Sequence, residues 1–135
     1  MHPFAPLRSF EMQDDRKRVG AMAEEHVRTY LEGKGYEFRH ANWRYGHGEL
    51  DLVMSDGDEI VFVEVKARRT ELAGRAEEGI SKKQQGILLR TGDLYMQNMP
   101  GVEGKYWRID LVAITLGRDN DVQDIVHYEN AVVIG

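Results

Sequence analysis

Apolar and polar positions repeat along the chain with two different periods, and together they predict two helices and five strands. Apolar residues three and four positions apart indicate a helix over residues 16–34, with Gly33 and Gly35 marking its end. A second helix is predicted to begin at Ser81, where Ser81 and Gln84 have the spacing of a capping box. Strands are predicted over residues 36–44, 49–55, 60–68, 106–115 and 124–134.

The predicted order of elements, αβββαββ, describes an α/β protein with a mixed sheet flanked by helices. The third strand, the second helix and the fourth strand form a βαβ unit, whose two strands should be parallel. A length of 135 residues is enough for one domain with a core of its own. Because periodicity is weak before residue 16, the sequence predicts a flexible N-terminal tail over residues 1–15 and a single domain over residues 16–135.

The third predicted strand carries charged residues inside its apolar run. It reads IVFVEVKAR, and Glu64 and Lys66 share one face because side chains alternate along a strand. An apolar run of this kind is typical of a central strand that is covered on both faces. An acid in such a strand is unfavourable unless it is paired, hydrogen-bonded or bound to a metal.

The second predicted strand, ELDLVMS, places another acid, Asp51, in the same situation. Residues 56–59, DGDE, are a hairpin turn signal. If Ser55 pairs with Ile60, then Asp51 lies directly opposite Glu64. A two-residue turn at Asp56-Gly57 would shift the pairing by two and leave the acids diagonal on one face. In either register the two carboxylates repel each other, and a divalent cation between them would remove that repulsion.

These residue types suit metal-assisted phosphodiester chemistry. Mg²⁺ prefers oxygen ligands from carboxylates, water and phosphate, and it activates water for attack on a phosphodiester. Lys66 could stabilise the negative charge that develops on the phosphate. Glu24 falls at the edge of the apolar stripe of the first helix and could reach the metal, whereas Glu25 points toward water. The structural alternative is a buried ion-pair cluster of Glu49, Asp51, Glu64 and Lys66.

Charge and composition narrow the class of protein. The net charge is −5, yet residues 61–90 have a local excess of basic residues that could face a polyanion. A solvated charged surface is the alternative explanation. The best candidates for phosphate contacts are Arg68, Arg69, Lys82 and Lys83. The chain has no cysteine, no apolar run of about 20 residues and no signal-like N-terminus, which predicts a cytoplasmic protein outside the membrane.

Four motifs and a helical glutamate pair resemble the YraN family of small bacterial proteins. The motifs are GELDLV (48–53), FVEVKAR (62–68), KKQ (82–84) and RIDLVAI (108–114), preceded by Gly20, Glu24 and Glu25. The resemblance covers about residues 16–115. That family is similar to the PD-(D/E)XK nuclease superfamily, with a core like that of archaeal Holliday-junction resolvases.

The resemblance implies a restriction-endonuclease-like fold and a nuclease site. It implies Asp51, Glu64 and Glu24 as metal ligands, Lys66 as a catalytic residue and Gln84 as a supporting one. Mg²⁺ or Mn²⁺ would be the cofactor, and DNA, branched DNA included, would be the substrate. A homodimer would suit the symmetry of a four-way junction. The alternatives are a non-catalytic nucleic-acid-binding module that keeps the fold and a protein-binding adaptor whose acids are structural.

Overall fold

A computed structural model of the protein describes residues 4–70 and 79–132, with side chains described from residue 17 onward. The element order αβββαββ is confirmed. The elements are α1 (Phe4–Gly33), β1 (Glu37–Tyr45), β2 (Gly48–Asp56), β3 (Glu59–Arg69), α2 (Lys82–Asn98), β4 (Trp107–Leu116) and β5 (Val122–Tyr128). No helix within the described residues is both long and apolar enough to span a bilayer.

Two boundaries differ from the predicted ones. Helix α1 begins at Phe4, so the backbone of residues 4–15 is helical rather than irregular. Pro6 lies in the first turn, where its missing N–H breaks no helical hydrogen bond. Strand β5 ends at Tyr128, because Asn130 adopts a positive φ of 53° that ends the extended conformation. The loop predicted between the third strand and the second helix lies partly outside the described residues.

The five strands form one mixed sheet in the order β1-β2-β3-β4-β5. Strands β3 and β4 are parallel, as the βαβ unit predicts, and the other neighbours are antiparallel. Ser55 pairs with Ile60, which confirms the register that brings the two acids opposite each other. The chain turns at Gly57, whose φ of +62° suits the first central residue of a hairpin turn.

Each face of the sheet carries one helix and its own apolar core. On the α1 face, Ala23, Val27 and Leu31 of the helix pack against strand residues that include Val63 and Val112. On the α2 face, the core contains Leu50, Val53, Phe62, Leu88, Tyr95, Ile109 and Leu111. Gly92 lets α2 approach the sheet closely, since a Cβ there would lie 2.9 Å from the Phe62 ring. Strand β3 is therefore central and covered on both faces along most of its length.

Candidate active site

Asp51 and Glu64 meet at the point where the β2–β3 ladder ends. The last backbone pair of the ladder joins Leu52 to Val63, and the same register sets Asp51 opposite Glu64. Beyond this pair, the Asp51 Oδ2 atom accepts a hydrogen bond of 2.9 Å from the Val65 N–H. A buried backbone N–H needs a partner, and here a carboxylate provides it.

The alternation of side chains along β2 breaks at Asp51. Simple alternation would place Leu50 with Leu52, but Leu52 packs on the α1 face and Leu50 on the α2 face. Gly48 also lies against α2, since a Cβ at Gly48 would collide with the Thr91 hydroxyl. Asp51 therefore stands at a local twist of β2, between the layer of α1 and the layer of α2.

Glu64 is a half-buried acid on the α2 face, and its pKa is raised to about 8. Burial is the main cause, followed by the negative charge of Asp51 and a hydrogen bond with its carboxyl group. The charge of Lys66 and the amide of Gln84 act in the opposite direction. Burial also raises the pKa of Asp51, and the Val65 N–H partly offsets that effect. Without a cation, the two acids favour a shared proton over two negative charges.

Glu24 approaches the acid pair from helix α1. Its side chain is half-buried, whereas Glu25 is exposed, as their positions on the helix predict. The Glu24 Oε1 atom accepts a hydrogen bond of 3.2 Å from Asn42 Nδ2. Burial and then the charge of Asp51 raise the pKa of Glu24, which indicates that the two acids are neighbours. Nothing in the sequence pattern indicated that Asn42 contacts Glu24 or that it adopts a φ of +53°.

Helix α2 supplies an amide to Glu64 from its first turn. Ser81 caps the helix, because its Oγ atom accepts a hydrogen bond of 3.2 Å from the Gln84 N–H. This half of the predicted capping box is confirmed. The Gln84 side chain takes another direction and donates to Glu64 Oε2 across 3.4 Å. The cap thus fixes the helix start next to the candidate site.

The basic residues fall into two groups. Lys66 follows Glu64 on the same face and is half-buried, and its charge lowers the pKa of Glu64. Arg69 contacts the protein itself, with its Nη1 atom 3.4 Å from the Gly117 carbonyl oxygen, and Arg68 is also half-buried and in contact with neighbours. Lys82 and Lys83 are exposed in the first turn of α2, directly before Gln84 in the chain.

Residues 23–114, a span that contains all of these side chains, match the uncharacterised protein family UPF0102. The chain belongs to this family. A UPF0102 protein of Pelotomaculum thermopropionicum is 41% identical over 120 residues, covering 89% of this chain and 99% of the relative. A UPF0102 protein of Mycolicibacterium vanbaalenii is 32% identical over 117 residues, covering 84% and 93%. UPF0102 is the YraN family that the motifs indicated, so the predicted membership is confirmed.

Glu49 lies outside the acid pair of this UPF0102 protein. The structural alternative placed Glu49 in a buried cluster with Lys66. In the structure, Glu49 is opposite Arg44 on β1, and the Arg44 Nε atom lies 3.1 Å from Glu49 Oε2. An exposed ion pair of this kind contributes little to stability. The cluster is thus reduced to Asp51 and Glu64, with Lys66 beside them.

Another acid of the UPF0102 motifs, Asp110, belongs to a separate polar network on the α1 face. Its fully buried carboxylate accepts hydrogen bonds from Arg108 Nε at 2.9 Å, His127 Nε2 at 2.7 Å and the Asn130 N–H at 2.8 Å. Arg108 also donates to the Tyr36 hydroxyl at 2.7 Å. Arg108 and Asp110 both belong to the RIDLVAI motif, and nothing in that motif indicates His127. This network is structural, since its groups satisfy one another.

The donor set at the site consists of oxygens. Carboxylates suit Mg²⁺ or Mn²⁺, whereas zinc sites in proteins use thiolates and imidazoles more often. Within the described residues, no group of three or more His, Asp or Glu side chains has the arrangement of a metal site. The carboxylates of Asp51 and Glu64, with Glu24 beside them, suit an ion that completes its shell with water and phosphate.

Proposed function

We propose that this protein is a metal-dependent nuclease that hydrolyses phosphodiesters in DNA, with Mg²⁺ or Mn²⁺ bound by Asp51 and Glu64. The observation that supports it is the meeting of these two acids at the end of the β2–β3 ladder. Burial raises the pKa of both, so two negative charges are unfavourable there unless a cation joins them. Acidic groups whose pKa is shifted strongly by burial and by a neighbouring charge cluster at functional sites.

The side chains around the pair have separate tasks in this proposal. Gln84 orients Glu64, and Asn42 holds Glu24 beside Asp51 as a further oxygen donor. Asp51 and Glu64 would hold a divalent ion, which would supply polarisation of the phosphodiester and a lowered pKa for an attacking water. Lys66, on the face of Glu64, stabilises the charge that develops on the phosphate. Lys82 and Lys83, exposed at the start of α2, bind neighbouring phosphates and position the substrate without reading its sequence.

A non-catalytic DNA-binding module is the second candidate. It is favoured by the lack of a three-residue metal-binding group within the described residues. In that case the exposed lysines bind DNA in a salt-dependent way and the acid pair is a remnant of the fold. DNA binding would then not be strengthened by Mg²⁺ and would survive Glu64→Gln.

Metal titration and cleavage assays test the proposal together. Mg²⁺ and Mn²⁺ are titrated calorimetrically, and linear, flapped and four-way DNA are incubated with wild type, Asp51→Asn, Glu64→Gln, Glu24→Gln and Glu25→Gln. We expect Asp51→Asn and Glu64→Gln to lose metal binding and cleavage, and Glu24→Gln to weaken both. Glu25→Gln is the matched control and should behave as wild type, because Glu25 faces water. Cleavage that persists in Glu64→Gln would contradict the proposal.

A further inference from the structure

A continuous row of aligned residues crosses all five strands through the acid pair. The pairs Ala41–Leu52 and Trp43–Leu50 on either side place Asn42 level with Asp51. The β2–β3 register, continued by one position beyond Leu52–Val63, places Asp51 level with Glu64. Glu64 is aligned with Leu111 on β4, and Leu111 with Tyr128 on β5. Neighbouring strands are about 4.8 Å apart, so the row sets Tyr128 about 10 Å from Glu64.

Tyr128 faces the same side of the sheet as Glu64. Its neighbour His127 points to the α1 face, where it contacts Asp110 and the Tyr36 ring. Side chains alternate along a strand, so Tyr128 points to the α2 face. Leu111, which lies between Tyr128 and Glu64 in the row, belongs to the α2-face core. This row of Glu64, Leu111 and Tyr128, here called the strip, therefore faces the α2 side, with the half-buried Glu64 and the exposed Tyr128 on either side of the buried Leu111.

The outer end of this strip is open and apolar. Tyr128 is 43% exposed and Val126 is 36% exposed. Val126 is aligned with Ala113, and Ala113 with Lys66, so a second row places these residues beside the lysine of the site. Among the described residues, helix α2 packs mainly over β2 and β1. Leu111 on β4 is buried in the core of this face, whereas Val126 and Tyr128 on β5 are exposed. An exposed aromatic ring with an apolar neighbour and a nearby ammonium is a surface that suits a nucleotide.

We propose that Tyr128 stacks on an unpaired base next to the phosphate held at the acid pair, which makes DNA with a single-stranded segment the preferred substrate. A base inside a duplex is already stacked between its neighbours, and an unpaired base can leave that stack and meet an aromatic ring. This inference rests on the proposed function for the position of the phosphate. The base contact itself can be measured without any cleavage.

The test compares binding of two DNA probes in EDTA. One is a duplex with a single-stranded tail that carries 2-aminopurine, and the other is the fully paired duplex with the same label. Wild type should quench the tail fluorescence, and Tyr128→Ala and Tyr128→Leu should bind the tailed probe about 5- to 150-fold more weakly. Tyr128→Leu keeps an apolar side chain on β5, and Tyr128→Phe should bind as wild type. Tyr106→Ala is the matched control, since Tyr106 is 84% exposed near the opposite end of β4.

The outcomes separate this inference from the proposed function. Equal binding of the tailed probe by wild type and Tyr128→Leu, or an equal loss in Tyr106→Ala, overturns the role of Tyr128. Tyr128-dependent binding in a protein that neither binds Mg²⁺ nor cleaves DNA retains the base contact and rejects the nuclease. If Tyr128→Ala instead dissolves a dimer in sedimentation and leaves DNA binding unchanged, the strip belongs to a second copy and the inference fails.

Discussion

The carboxylate of Asp51 takes the place of a backbone carbonyl as the hydrogen-bond partner of the Val65 N–H, at 2.9 Å. This exchange ends the β2–β3 ladder and holds the acid next to Glu64. Strand β3 therefore needs a hydrogen-bond acceptor at residue 51 for the Val65 N–H. The negative charge of Asp51 is needed only to bind a cation. The two requirements can be separated by substitution.

Asp51→Asn should stabilise the protein while it removes metal binding. Asn keeps an oxygen acceptor for the Val65 N–H and removes a charge that burial makes unfavourable. We expect the free energy of unfolding, measured by urea denaturation without divalent ions, to rise by about 0.5–2 kcal/mol. Asp58→Asn is the control, because Asp58 is fully exposed in the β2–β3 turn and its long ion pair with Lys105, at 3.9 Å, should contribute little. A loss of stability in Asp51→Asn would show that the charge itself supports the fold.

The stability of the metal-free protein should fall as the pH rises from about 5 to about 8. In this range the folded protein retains the proton of Glu64, whose pKa is about 8, and the unfolded chain has released it near the ordinary value of 4.5. The unfolded state then binds fewer protons, so rising pH favours unfolding by up to about 1.4 kcal/mol per pH unit. Thermal unfolding across this range measures the slope.

Two additions make the pH experiment specific to the acid pair. Glu64→Gln should flatten the slope, because the amide does not titrate. Mg²⁺ should restore stability most at the high end of the range, where the carboxyl is free to bind it and binding to the native state alone stabilises the fold. A slope that is the same in wild type and Glu64→Gln would assign it to other groups.

The meeting of the acid pair could be predicted from the sequence because it depends on two local features. Alternation along β3 indicated that Glu64 and Lys66 share a face, and the DGDE turn left two registers, of which the structure has the one that pairs Ser55 with Ile60. Helix periodicity in the same way separated Glu24 from Glu25. Each of these inferences concerns residues close to one another in the chain or in one hairpin.

The features that the sequence did not reveal depend on contacts between distant elements. The break in alternation at Asp51 follows from the packing of Gly48 and Leu50 against α2. The contact of His127 with Asp110 requires the β4–β5 register, which no turn motif specifies. Helical structure before residue 16 was missed because that segment has little apolar periodicity. The positions of the acids thus follow from local sequence patterns, whereas their surroundings depend on tertiary packing.

Gln84→Ala should weaken metal binding and leave helix α2 intact. The side-chain amide contacts Glu64 at 3.4 Å, while the cap on Ser81 uses the Gln84 backbone N–H, which alanine keeps. Loss of a group that orients a metal ligand typically costs about 10- to 100-fold in metal affinity. Calorimetric titration with Mn²⁺ measures the loss, and circular dichroism verifies the helix. Gln97→Ala, in the exposed last turn of α2, is the control, and an equal effect of both variants would exclude a specific role for Gln84.

Asp110→Ala should destabilise the fold strongly and leave the metal affinity of the folded protein unchanged. Removal of the buried carboxylate leaves Arg108, whose side chain is 11% exposed, with Glu59 at 2.6 Å but without its buried partner, and it leaves the His127 ring and the Asn130 N–H unsatisfied. Loss of one member of a buried ion pair costs about 3–5 kcal/mol. Urea denaturation at low temperature measures this loss, with Asp119→Asn in an exposed turn as the control. If Asp110→Ala instead kept its stability and lost Mn²⁺ binding, Asp110 would belong to the metal site and the division of the acids into two networks would be wrong.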